Sequence, residues 1–305
     1  MKIFTTLFVL LPIALLAQND GPFAPEAGEE GSTAVPLDDE RILRWADMVE
    51  SYEPVEGAPL SAAFSNPEQA LGPAEGNVFQ IVSLAQGELV VSFQEPLQNG
   101  EGPELAVYEN SFNNTFLELA FVEVSSDGVY FERFPNQSLT PEPINGSQVF
   151  ATNIDGLAGK YRGGFGTPFD LQDLPQSPLL DLDRVRFVRL IDIVAGNQGG
   201  RAFDSFGRLI FDSFLGGVST GFDCDGVAAL STPEFVIPVL SFEPEEGGFR
   251  FTWESRIGGD YCVEISSTLQ EDDWQIVHEL VATEVTSSVL VESEEERLFV
   301  RVRRK

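Results

Sequence analysis

The chain reads as all-β: an antiparallel β-sandwich or jelly-roll domain with one N-terminal helix, followed by a second, smaller sandwich. Three observations predict this. Short runs of alternating apolar and polar residues follow one another from 79 to 230, and period-two patterning marks strands with one buried face. Turn clusters such as 98–103 (QNGEGP) and 163–168 (GGFGTP) separate the runs, with no helical pattern between them; that favours antiparallel sheets over βαβ units. The alternation then lapses at 231–238 and restarts over 239–305.

Taken in order, residues 1–17 have the form of a secretory signal, with Lys2 ahead of an apolar run from Ile3 to Leu16 and the small Ala17 at a cleavage position. That run is short for a membrane span, so an exported chain without membrane insertion is expected. Residues 18–36 mix Pro, Gly, Ser and acids without periodicity and are expected to be a flexible acidic leader. The first domain is expected over 37–230. Its opening helix is read from Ile42, Trp45, Ala46 and Val49 at spacings of three and four, with Asp38 as the cap.

The clearest element is 118–135, ELAFVEVSSDGVYFERFP, whose alternation on both sides of Asp127-Gly128 predicts a tight hairpin. The stretch 139–178 is too poor in alternation for sheet, and irregular segments of that length are commonly functional loops. After the linker 231–238, the runs GFRFTWE, YCVEISS, WQIVHEL, TSSVLVE and RLFVRVRR predict a fibronectin III/Ig-like sandwich over 239–305.

Charge narrows the partners. With 18 basic and 49 acidic residues the net charge is −31, which repels nucleic acid and anionic membranes. Between Arg44 and Arg133 there is no Lys or Arg at all, so the acids of that stretch lack local counter-charges. Such a surface suits cations, and calcium is the expected cofactor, because loops at strand ends can supply its oxygen ligands. The candidate ligands are Glu109, Asn110, Asp192, Asp204, Asp212, Asp223 and Asp225, with Asp223 and Asp225 placed on one side of an extended segment.

Lys160, Tyr161 and Phe165, on a glycine-rich loop, combine cation and aromatic in a way that suits an extracellular glycan or protein ligand. Pairing of Lys160 with the surplus acids is the competing reading. Cys224 and Cys262, the only cysteines, are expected as small buried hydrophobes rather than as a bridge.

Catalytic signatures are weak. Residues 217–221 match G-x-S-x-G, but that motif needs an α/β elbow and a histidine, and the only histidine is His278, in the other domain. A lone histidine and two cysteines without CxxC spacing also disfavour zinc.

The motifs ELAFVEVSSDG (118–128), YEN (108–110), LAGKY (157–161), GTPFDL (166–171), VRLID (188–192) and GFDCD (221–225) occur in an order that resembles exported bacterial cell-surface proteins of the PEP-CTERM-associated type. Tyr261, Ser266-Ser267-Thr268, Trp274 and Phe299-Val300-Arg301-Val302 resemble the terminal sandwich module of exported proteins from Verrucomicrobia-like bacteria. These resemblances imply a secreted or cell-surface protein and assign no activity. The expectation is therefore a non-catalytic, calcium-stabilised binding protein; a carbohydrate-active enzyme or its accessory domain is the alternative.

Overall fold

The computed structural model of the 305-residue chain describes residues 19–77, 79–142, 148–213, 219–231, 236–237, 239–245, 247–255, 259–270, 273–292 and 298–304. The expected signal segment 1–17 lies outside them, as does most of the linker. Among the described residues the fold is all-β, and helical backbone is confined to turns of three or four residues.

The first domain begins with β1 (Val35–Pro36), β2 (Ile42–Trp45), β3 (Met48–Glu53) and β4 (Val82–Ser83). Then come β5 (Glu88–Leu97), β6 (Leu105–Glu109), β7 (Ala120–Ser125), β8 (Glu132–Arg133) and β9 (Gln137–Ser138). It closes with β10 (Ile154–Asp155), β11 (Phe165–Phe169), β12 (Val185–Asp192) and β13 (Asp223–Leu230).

One sheet runs β1-β11-β6-β13-β2, with β4 added to β13, and the other runs β3-β5-β12-β7-β8; β9 and β10 form a separate pair. All pairings are antiparallel. Between the sheets, Val91, Phe93, Val122, Val124, Val188 and Leu190 meet Leu105, Val107, Phe169, Val227 and Ala229 in one core. Each such side chain contributes roughly 1.5–3 kcal/mol through burial. A second apolar cluster, including Leu117, Leu119, Phe121, Ile193 and Ile210, closes one end.

Several sequence expectations are corrected. The N-terminal helix is absent: 42–53 forms β2 and β3. Its spacing of three and four comes from a phase change where the chain leaves one sheet for the other. Ala46 N–H bonds Val227 O in the first sheet, while Asp47 N–H bonds Ser92 O in the second. Trp45 packs on Tyr108 with ring centroids 5.1 Å apart.

The segment 19–36 is an ordered strap instead of a flexible leader. Phe23 N–H donates to Thr152 O at 3.1 Å, and Val35, fully buried, pairs with Gly166 on β11. The 139–178 stretch contributes β10 and β11. The latter escapes pattern reading because Gly166 interrupts FGTPF, and a Cβ there would lie 2.7 Å from the Tyr108 ring.

The 118–135 hairpin forms with Glu123 opposite Arg133 and Val124 opposite Glu132. Its connection is the loop 126–131 rather than a two-residue turn. Asp127 Oδ1 accepts the amides of Val129 (2.8 Å) and Tyr130 (2.9 Å), which lets the wider loop replace the primed turn. Every residue of β7 is buried. Its outer face is covered by arginines: Arg133 lies 4.1 Å over Phe121 and Arg189 lies 4.2 Å over Phe131, and both pair with Glu123.

The second domain consists of β14 (Val236–Ile237), β15 (Val239–Glu245), β16 (Gly248–Glu254), β17 (Asp260–Ser266), β18 (Gln275–Val281), β19 (Thr286–Glu292) and β20 (Phe299–Arg304). Sheets β14-β20-β17-β18 and β15-β16-β19 enclose Trp253, Tyr261, Val263, Val291 and Val302. Both cysteines are free and buried.

Candidate functional site: a buried carboxylate cluster

At one end of the first sandwich, five acids from different elements influence one another electrostatically. Glu109 ends β6, Glu118 precedes β7, Asp192 ends β12, Asp223 opens β13, and Asp212 lies in the segment between β12 and β13. The register explains the convergence: Cys224 pairs with Glu109, placing Asp223 diagonally beside it, and Asp192 pairs with Ala120, two residues beyond Glu118. Their relative exposures are 0% for Glu109, 7% for Glu118, 6% for Asp192, 1% for Asp212 and 5% for Asp223.

Each proton affinity is raised, with burial as the largest cause. Glu118 is pushed up to about 11, by burial and then by the charges of Glu109, Asp223, Asp212 and Asp192. Burial holds Asp192 up at about 7 and Asp223 at about 6, with hydrogen bonds opposing the rise in both. Glu109 and Asp212 lie well above the usual carboxylate range, again through burial; a neighbouring aspartate adds to the rise in each, Asp223 for Glu109 and Asp192 for Asp212. None of the ion pairs found among the described residues includes Glu109, Glu118, Asp192 or Asp223.

The hydrogen bonds satisfy only part of this set. Asp192 accepts Gln86 N–H at 2.6 Å and Phe222 N–H at 3.0 Å. Gly221, at φ +80°, makes the second contact possible, because a Cβ there would lie 1.9 Å from Asp192 Oδ2. Asp212 accepts the Gln198 side-chain amide at 2.9 Å. Glu109 Oε2 accepts both N–H and O–H of Ser111, and Asp223 Oδ2 accepts Ser219 O–H at 2.9 Å. Glu109 Oε1 and Asp223 Oδ1 are buried with no partner. A buried oxygen left unpaired costs roughly 1–3 kcal/mol, and such oxygens suit a cation. Even so, no group of three or more His, Cys, Asp or Glu side chains among the described residues forms a ready metal cage.

The structure divides the expected ligands. Glu109, Asp192, Asp212 and Asp223 fall in the cluster. Asn110 is the buried neighbour of Glu109. Asp225 sits where the β13–β6 register shifts, and such a bulge re-aims a side chain; its oxygens accept the amides of Glu75 and Gly76 at 3.1 and 2.8 Å. Asp204 is taken up by the amides of Ser138, Phe206 and Arg208 and by the Arg208 guanidinium.

Glu118 is hidden in the sequence, because it begins the alternating run that marks the hairpin. Its signal is an acid set between two apolar residues, Leu117 and Leu119, in a stretch without basic residues.

The expected ligand loop is covered. Lys160 and Tyr161 are 4% and 1% exposed. The Lys160 ammonium stands 5.9 Å from the Phe23 ring and 5.6 Å from that of Tyr161, and burial brings its proton affinity down to about 8. Thr33 bonds the Tyr161 hydroxyl at 2.8 Å. Phe165, half-buried, lies under Arg162 at 4.5 Å. Lys160 and Tyr161 thus dock the 19–36 strap, and only Phe165 keeps a partly open face.

Ser219, in the G-x-S-x-G match, bonds Asp223; Gly217 and Val218 lie outside the described residues. His278 belongs to β18 in the other domain.

Comparison with protein-family models, curated proteins and solved structures yields no match.

Proposed function

We propose that the protein is a secreted, non-catalytic surface or matrix protein whose first sandwich is stabilised by calcium and binds an extracellular ligand. The observation that carries the calcium reading is the cluster of Glu109, Glu118, Asp192, Asp212 and Asp223, buried at the end of the sandwich with two oxygens unpaired. Ionised carboxylates are not kept in a protein interior without compensation. Protons compensate them when no metal is bound, and a divalent cation does so by drawing several carboxylate oxygens around one charge.

Export is inferred from the form of 1–17 and from the resemblances of 118–128 and 261–302. The enzyme alternative asks paired carboxylates to face a substrate cleft, whereas Glu109 and Asp212 are at most 1% exposed.

Melting the protein in excess calcium and in chelator tests the metal. A ligand bound only by the folded state at a hundred times its Kd stabilises by about 2.7 kcal/mol, so a clear rise in Tm is expected. Equal melting temperatures in the two buffers would refute the proposal.

A further inference from the structure

Most arginines of this acid-rich chain meet acids. Arg41 pairs with Asp39, Arg44 with Glu95, Arg133 and Arg189 with Glu123, Arg208 with Asp204, Arg250 with Glu245, and Arg301 and Arg303 with Glu264. Arg184 and Arg186 make no ion pair among the described residues, although the chain holds 49 acids to 18 bases. They line one hollow of about 310 Å³ together with Pro96, Ser126 and Asp181.

Both arginines line the hollow from adjoining elements: Arg184 ends the turn Leu182–Arg184 and Arg186 is the second residue of β12. Arg186 is fixed by its Nε–H, which donates to Phe93 O at 3.2 Å. Asp181 Oδ1 accepts Asp183 N–H at 3.1 Å, so the carboxylate is held at the edge of the hollow by the turn it caps. Ser126 Oγ accepts Asp181 N–H at 3.2 Å, which leaves its O–H free to donate.

We propose that this hollow binds a small ligand bearing a single carboxylate on an uncharged, sugar-sized body. Two guanidinium forks match a planar carboxylate better than a point charge would. The volume falls at the small end of ligand pockets, about 300–1,000 Å³.

Across Pro96 lies a second hollow of about 370 Å³, lined in part by Leu43, Leu97, Arg44 and Glu95, the last two paired with each other at 3.8 Å. Arg44 donates to the carbonyls of Glu95 and Pro96 at 2.9 and 2.8 Å, so it braces the partition between the hollows, and the exposed Leu43 offers the ligand body an aliphatic surface. The net charge of −31 sets the charge limit, since its field repels a densely charged polymer more than a single carboxylate.

This inference deepens the ligand-binding half of the proposed function and is independent of calcium. Calorimetric titration with glucuronate is the test, with glucose as the neutral control and inorganic sulfate as the bare oxyanion. Saturable glucuronate binding is expected, with none for glucose. Arg184→Ala, at an exposed position, and the Arg184→Ala/Arg186→Ala pair should weaken binding by about tenfold or more, as loss of charge-assisted hydrogen bonds does, with Tm unchanged in the single variant.

Absence of glucuronate binding, unchanged affinity in Arg184→Ala, or sulfate binding as tightly as glucuronate would each overturn the proposal. The calcium melting experiment would be untouched by any of these results.

Discussion

Asp223 shows how a single residue couples this fold to pH. It opens β13 with one oxygen bonded to Ser219 and the other buried without a partner, and burial pushes its proton affinity up to about 6. A carboxyl that holds its proton more tightly folded than unfolded stabilises the fold most below its unfolded value, near 4. That stability is lost as pH rises through 6. Asp223→Asn removes the charge and keeps the shape, so the calcium-free variant should be more stable than the parent by about 3 kcal/mol at pH 8, and no more stable at pH 4. Urea unfolding at the two pH values reads this difference directly. Equal destabilisation at both would mean that Asp223 serves only as a hydrogen-bond acceptor.

The same scale shows what could be read from the sequence. Glu109, Asp192 and Asp223 are legible as acids at the ends of alternating runs, and Asp212 as an acid in the last third of the same domain. Asp204 and Asp225 look identical to them in sequence, yet loop amides hold both away from the cluster, whereas Asp192 accepts two amides and still joins it. Which acid reaches the cluster depends on loop geometry and on one bulge, and neither is written in residue type.

At the level of elements, patterning located the strands where alternation is regular and failed where the chain changes sheet or lies over another element. Strands β5, β6, β7, β12 and β13 fall within the alternating runs, as do β16 to β20. The β2–β3 passage mimics a helix because two alternations join out of phase at Ala46-Asp47. The 19–36 strap has no period because its contacts are scattered: Phe23 near Lys160, Thr33 on Tyr161, Val35 on β11.

Deleting 19–36 should therefore cost more than removal of a solvated tail. It uncovers Tyr161 and strips β11 of β1, one of its two partner strands. The burial of Val35 alone is worth about 1.5–3 kcal/mol, so a loss of that size or more is expected in chemical denaturation. Lys160 offers a second readout: freed of its cover, its proton affinity should climb from about 8 towards the ordinary lysine range, as followed by NMR. An unchanged Lys160 titration would show that the strap does not cause its burial.

Across the whole molecule, the apolar clusters separate along the chain. Every member of the cluster around Trp253 comes from the second domain, and the other clusters draw only on the first. Two cores that share no side chain can melt separately, and all five clustered carboxylates belong to the first. Calorimetry should then resolve two transitions with different sensitivities. Without calcium, raising the pH from 5 to 8 carries Asp223 and Asp192 through about 6 and about 7; the first domain's transition should fall while the second's holds. Calcium binds the ionised carboxylates, so its stabilisation should grow over the same interval and cancel or reverse that fall. Trp253→Ala, which empties the second core at a cost of about 3–5 kcal/mol, should lower only the transition that calcium leaves alone. A single transition that moves as one with pH, calcium and Trp253→Ala would show that the two sandwiches unfold together, and calcium would then be acting on the whole chain.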